Sequence, residues 1–218
     1  MSRLILAVDT TSEYGSLALL RGEDLVDEVV LHAPKGFAQV LYGHLAELLG
    51  RHGLKPGAID CFAAASGPGS FTGVRVGLAC VKGLAEAVGR PAVAVSNLQA
   101  IAWFGASPLR AAVMDARRGE VYGAVYDAAS RLVAPEVVAP FARWIEMLPE
   151  GELEFVAFGF TPPLAGTRFE KAPVRTAPRA LAGAIARLAS RAEPRDPAAL
   201  DANYVRRSDA ELLWREWP

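Results

Sequence analysis

Sulfur and histidine are scarce in this chain, and their scarcity removes most metal and nucleophile chemistry at the outset. Two cysteines, Cys61 and Cys80, and three histidines, His32, His44 and His52, are all that 218 residues supply. The histidines stand 12 and 8 residues apart, so no two occupy adjacent turns of one helix as a paired metal site requires. Both cysteines sit among small apolar neighbours, the setting of buried reduced thiols rather than of a disulfide or a nucleophile. No Gly-Xaa-Ser-Xaa-Gly elbow occurs, which leaves a hydrolase without a visible nucleophile. Charge of one sign is also lacking: 23 basic side chains face 24 acidic ones, too even a balance to draw nucleic acid unaided. Long hydrophobic runs are missing. The apolar stretch after Met1 stops at Asp9, too short for a signal peptide or a membrane span, so the expected location is cytoplasmic, away from any membrane.

What is present is a foldable composition, 52% hydrophobic and 22% charged, in a chain long enough for one large domain or two small lobes. The opening LILAVDTTSEYGSLALLRGEDLVDEVVL reads as a buried strand ending at Asp9, then two alternating strands joined at Arg21-Gly22-Glu23-Asp24. Helical spacing covers residues 36–51, a break at 53–60 precedes a buried strand at 61–65, and the turn SGPGSFTG opens a second helix over 72–88. A strand at Ala92–Val95 follows, then a third helix capped by Ser96, then a hinge at 105–108. Beyond the hinge RAAVMDARRGEVYGAVYDAASRLV repeats the opening plan, with Asp115 standing 106 residues after Asp9. An amphipathic stretch at 141–148, the strand EFVAFGF and an Ala/Arg helix over 179–191 complete the second half. Such a repeat implies an internal duplication. The fold expected is α/β, an actin-like, ribonuclease-H-like pair of lobes with mixed sheets flanked by helices, divided at 1–107 and 108–218.

Two segments point to chemistry in such a fold. Asp9-Thr10-Thr11-Ser12 has the carboxylate, hydroxyls and amides that hold a phosphate or its magnesium ion; the same hydroxyls also suit the turn's own backbone groups. SGPGSFTGVR, with Gly67 and Gly69, sets flexible amides at a helix start, where an anion is favoured, although the glycines serve equally to make the strand-to-helix turn. The Lys-Ser/Thr pair of a Walker loop is missing. Arg117 and Arg118 in the second copy are either anion contacts or solvated turn residues.

The two long helices are apolar on more than one face. Val74, Leu78, Val81 and Ala85 form a heptad-like seam beside a narrow charged stripe that includes Lys82, and Phe37, Leu41, Leu45 and Leu48 do the same near His44. A helix apolar nearly all round is buried on two sides. Either these helices form a docking surface or they bury their second faces within the chain.

ILAVDTTSEYGSLALL, SGPGSFTGVRVGLACVKGLAEAVGRPAVAVSNLQAIA, AAVMDARRGEVYGAVYD and the late NYVRRSDAE occur in an order and spacing that resemble the TsaB (YeaZ) family. The resemblance spans most of the first lobe, the opening of the second and the C-terminal motif. It implies an actin-like scaffold or activator without its own active site. Such a subunit pairs with the catalytic TsaD-like subunit and works with a TsaE-like ATPase in threonylcarbamoylation of adenosine 37 of tRNA. It further implies that helices bearing Phe37, Leu41, His44, Leu45, Leu48, Val74, Leu78, Val81, Lys82 and Ala85 dock onto their counterparts in the partner, or in a second copy when the partner is absent. Contact with tRNA would come only through the complex, where Arg187, Arg191, Arg195, Arg206 and Arg207 are the basic candidates. No metal site and no required cofactor are expected; ATP, ADP or magnesium is the ligand that a vestigial cradle of Asp9, Thr10, Thr11, Ser12, Gly67 and Gly69 would take. TsaD-like enzymes carry a His-Xaa-Xaa-Xaa-His pair and a Gly-Gly motif, and this sequence has neither. Ala202 stands where the family often has proline before its Asn-Tyr-Xaa-Arg motif, while Tyr204 and Arg206 are retained. Competing readings are an actin-like ATPase or small-molecule kinase, a glycoprotease, and a purely homodimeric structural protein.

Overall fold

A computed structural model describes residues 2–206 of the chain. β1 (Leu4–Asp9), β2 (Tyr14–Arg21) and β3 (Asp24–His32) form an antiparallel meander, and β4 (Cys61–Ala65) and β5 (Ala92–Val95) extend it in parallel beyond β1. Parallel neighbours need crossovers, and α1 (Leu41–Arg51) and α2 (Phe71–Ala87) supply them, with α3 (Asn97–Ala102) leading out of the sheet. The second half repeats the plan with β6 (Leu109–Arg117), β7 (Glu120–Asp127), β8 (Leu132–Pro140), α4 (Phe141–Glu146), β9 (Leu153–Phe158), β10 (Val174–Thr176) and α5 (Ala182–Arg191). The strand orders β3-β2-β1-β4-β5 and β8-β7-β6-β9-β10 are the same, with the same pattern of parallel and antiparallel pairs. The fold is the duplicated actin-like α/β arrangement that the sequence implies.

Every residue of β1 is buried, because both faces of the first sheet are covered. Leu4, Leu6 and Val8 face α1 and α2, whereas Ile5 and Ala7 face a central core. That core is shared. α3, from the first half, lies on β6, β7 and β9 of the second sheet, and α5, from the second half, returns to lie on β1, β2, β4 and β5. Ile101, Ile185 and Leu188 meet between the sheets with Val95, Met114 and Val156. The far side of the second sheet is closed by Trp144, Ile145 and Leu148 with Leu164 and Phe169 from the β9–β10 connection.

Several boundaries differ from expectation. α1 begins at Leu41, not at residue 36: Gly36 has φ +94°, which no helix accepts, and Phe37 folds inward to 2% exposure instead. α5 begins at Ala182; Arg179 precedes it and lies 3.8 Å from the Tyr14 ring. β6 does not close on Asp115 but runs on to Arg117, which pairs with Glu120 after a bulge. Arg118 and Gly119 both have positive φ, the combination that matches a two-residue hairpin turn to strand twist.

The start of α5 is fixed by the opposite half of the sequence. Ser16 Oγ on β2 accepts from the Leu181 and Ala182 amides at 3.0 and 2.9 Å, and Glu28 on β3 accepts from the Gly183 amide at 2.6 Å. A carboxylate there also opposes the positive end of the helix dipole. Ser16→Ala strips buried amides of their acceptor, so it should lower unfolding free energy by about 1–3 kcal/mol. Urea denaturation followed by near-UV signals from both sheets should show one transition, since the two halves share a core.

Candidate functional site

The end of β1 meets the start of α2 at the segment expected to form a phosphate cradle, and its polar groups bond within the chain. Asp9 Oδ1 accepts from the Thr11 amide at 3.0 Å and from the Thr11 hydroxyl at 2.7 Å. Thr11 Oγ1 in turn accepts from Asn97 Nδ2 at 2.7 Å, and Asn97 Oδ1 accepts from the Gly67 amide at 2.9 Å. The Thr10 hydroxyl donates to the Gly73 carbonyl at 2.7 Å, and the Thr11 carbonyl accepts from the Ser70 amide at 2.7 Å. Only glycine permits this approach: a Cβ on Gly73 would stand 2.0 Å from the Thr10 carbonyl oxygen, and one on Gly69 would stand 2.7 Å from that of Thr11.

Asp9, Thr10 and Thr11 are 1%, 1% and 3% exposed. Of the proposed cradle, only Ser12 and Gly69 are partly exposed, and the Ser12 hydroxyl donates to the Tyr14 carbonyl. These hydroxyls thus serve the turn's own backbone and side-chain groups. Burial pushes the Asp9 carboxyl above its ordinary value, and hydrogen bonds from the Thr11 hydroxyl and amide and from Asn97 offset only part of that rise. In the second copy Asp115 Oδ1 accepts from the Arg117 amide at 2.8 Å, the same two-residue turn, but Asp115 is exposed. The β9–β10 connection places no helix against it as α2 lies against Asp9.

Most of the helix residues expected to dock are buried within the chain. Phe37, Leu41, Leu45, Leu48, Val74, Leu78, Val81 and Ala85 are each 6% exposed or less and belong to one internal cluster. Their second faces are covered by each other, by Leu200 and by the short 3-10 turn Pro197–Ala199 against α2. His44 and Lys82 are half-buried; His44 faces Glu47, and Lys82 Nζ donates to the Ala198 carbonyl at 3.2 Å. The exposed residues of the two helices include the uncharged Tyr42, Gly43, Ala46, Thr72, Ala79 and Gly83 beside the charged Glu47, Arg75 and Glu86. Cys80 on α2 is buried, which pushes its thiol up to about 11; Cys61 is raised by burial as well. Both remain neutral thiols at pH 7.

Sequence reasoning missed Asn97 and Glu136. Asn97 is fully buried and joins the β1 loop to Gly67, and Glu136 on β8 accepts from Ser96, Tyr126 and Asn203. Neither carries a local signal: the side-chain partners of Asn97 are Gly67 and Thr11, and those of Glu136 are Ser96, Tyr126 and Asn203, none of them a near neighbour in sequence. Arg207 and the rest of the motif after Arg206 lie outside the described residues.

Gly73→Ala should cost about 3 kcal/mol or more, at the upper end of overpacking effects, while Gly83→Ala, with open space around its Cβ, should be neutral or stabilising by up to about 1 kcal/mol; chemical denaturation of the pair checks both. For Asp9, a folded-state value above the ordinary 3.8 means that its contribution to stability is full below that pH and is lost as pH rises through the raised value. Asp9→Asn should abolish that component. The stability of the wild type relative to the variant should then fall as pH rises out of the acid range, as read by urea midpoints.

A family model described as TsaD, tRNA N6-adenosine threonylcarbamoyltransferase, matches residues 31–191. The tRNA threonylcarbamoyladenosine biosynthesis protein TsaB of Bacillus subtilis (strain 168) is 31% identical over 97% of this chain and 98% of its own length. A tRNA N6-adenosine threonylcarbamoyltransferase of Granulibacter bethesdensis is 34% identical, over 53% of this chain but 30% of that protein. The solved structure of YeaZ from Pseudomonas aeruginosa is 27% identical and superposes with a TM-score of 0.76 over 93% of this chain and 99% of that one. The transferase and TsaB names diverge, and extent separates them: the match runs over 98% of the Bacillus subtilis TsaB and 99% of the YeaZ structure but over 30% of the transferase. With its duplicated actin-like fold and that end-to-end match, the chain belongs to the TsaB (YeaZ) family.

Proposed function

We propose that this chain is the non-catalytic scaffold or activator that pairs with a TsaD-like catalytic subunit for threonylcarbamoylation of adenosine 37 of tRNA. A TsaE-like ATPase joins the assembly, tRNA is reached only through it, and the chain self-associates when its partner is absent. The observation that carries this reading is the end-to-end likeness to the TsaB of Bacillus subtilis, over 97% of this chain, and the tightly packed β1–α2 junction, with the Thr10 hydroxyl on the Gly73 carbonyl, goes with it. The protein's own hydrogen bonds engage the groups that would otherwise act on a substrate. His52 likewise lies 2.8 Å from Asp27, and Arg51 lies 3.4 Å from the same carboxylate.

Docking uses the outward face of α1 and α2, with Tyr42, Ala46, Ala79 and Gly83 at its centre and His44 and Lys82 at its margins. Small side chains on that face let a partner helix come close, and the buried seam of Val74, Leu78 and Val81 beneath it makes the face rigid. A charge placed on an exposed position leaves the fold intact yet is buried without a partner on docking, a cost of several kcal/mol.

Calorimetric titration of the chain with the TsaD-like subunit of the same organism, beside a titration with Mg-ATP, tests the proposal. Pairing in the submicromolar range, lost by about a hundredfold or more in Ala79→Glu while its melting temperature is unchanged, is the expected result. Heat from Mg-ATP without any pairing would instead favour an actin-like ATPase or kinase.

A further inference from the structure

Residues 203–206 cross the mouth of the cleft and bond to both lobes in turn. The Asn203 amide donates to the Ser66 carbonyl at the end of β4 at 2.7 Å, and its side-chain amide donates to Glu136 on β8. Tyr204 turns back to the first lobe: its hydroxyl accepts from Arg75 Nε at 2.9 Å, and its ring lies 5.5 Å from that of Phe71, both on α2. Arg206 reaches the second lobe again, donating to the Ala116 carbonyl at 2.8 Å and to the Glu120 carboxylate. The segment leading to this crossing is anchored to the first lobe by the buried Leu200 and by an antiparallel bridge between Arg195 and Ala92. What remains of the cleft below is an opening of about 290 Å3 between Gly69, Phe71, Arg117 and Tyr122.

Comparison of the duplicated halves isolates what is special about Glu136. On the first sheet Glu28 stands opposite Ala18. On the second sheet a bulge in β8, between the pairs Gly123–Val137 and Val125–Ala134, contains Glu136. Both glutamates face the N-terminus of the helix received from the other half. Glu28 accepts from a backbone amide of α5, whereas Glu136 accepts from three side chains: Ser96 at the cap of α3, Tyr126, and Asn203 of the crossing segment. One carboxylate thus ties the second sheet, the α3 cap and the chain's late segment together.

We infer that residues 203–206 form a strap that holds the two lobes at one angle across the cleft, with Glu136 and Glu120 as its fastenings on the second lobe. Anything that enters the cleft from this side meets the strap first, and release of the strap frees both rims together.

Hydrogen exchange of the full chain, read by mass spectrometry, tests this. Arg206→Ala cuts only the far fastening at a half-exposed position, and Asn203→Ala combined with Arg206→Ala cuts both. Peptides covering 66–75 and 114–122 should exchange about tenfold faster in the double variant, with a smaller rise in the single one, while peptides from β1, β2 and β9 keep wild-type protection. Unchanged exchange at the two rims in the double variant would overturn the inference. So would a rise spread evenly over both sheets, because that is the mark of general destabilisation.

Discussion

The structure depends on an exchange of helices between its two halves. Each five-stranded sheet has an inner face that must be removed from water, and in each case the covering helix comes from the other half of the sequence: α3 lies on the second sheet and α5 on the first. The small side chains of α5, Ala182, Gly183, Ala184, Ala186 and Ala189, are almost wholly buried. They let the helix lie close to the strands, and its seat is fixed by Ser16 and Glu28. The lobes are therefore distinct as sheets but continuous as a core. The linker between them is also held in place: Glu154 accepts from the Ala106 and Ser107 amides and from Arg175. Burial raises its carboxyl, but those donors outweigh burial and leave it below the ordinary range.

Duplication gave the two halves the same strand order, and differences at equivalent positions show how they have been put to separate uses. Asp9 and Asp115 make the same turn, yet α2 and its glycines seal the first while the second stays open to solvent. Glu28 and Glu136 both lie on edge strands, yet one receives a helix amide and the other a set of side chains. At the Asp9 turn the Thr10 hydroxyl and the Thr11 carbonyl are satisfied by Gly73 and by the Ser70 amide at the start of α2.

Local chemistry made much of this legible in advance. The meander, the Ser96 cap and the strand Ala92–Val95 follow from turn residues, capping preferences and alternation, all of which act within a few positions. The repeat was visible through Asp9 and Asp115 because strand ends carry recognisable turns. What covers the two long helices was not legible. An all-round apolar helix declares that it is buried, not what buries it, and the cover for α2 comes from Leu200 and the turn at Pro197–Ala199, more than a hundred residues away. Asn97, Glu136 and the path of α5 were hidden for the same reason: their partners are brought together only by the fold.

The position of α5 in the sequence sets an order of events during synthesis. The strands of the first sheet are made early, but the helix that covers their inner face is made only after all ten strands. Until then Ile5, Ala7, Leu20 and Val93 lack their native cover on that face. The nascent first half is thus a sticky intermediate and a natural client for a chaperone, and the cell's gain from the shared core arrives only when α5 emerges from the ribosome.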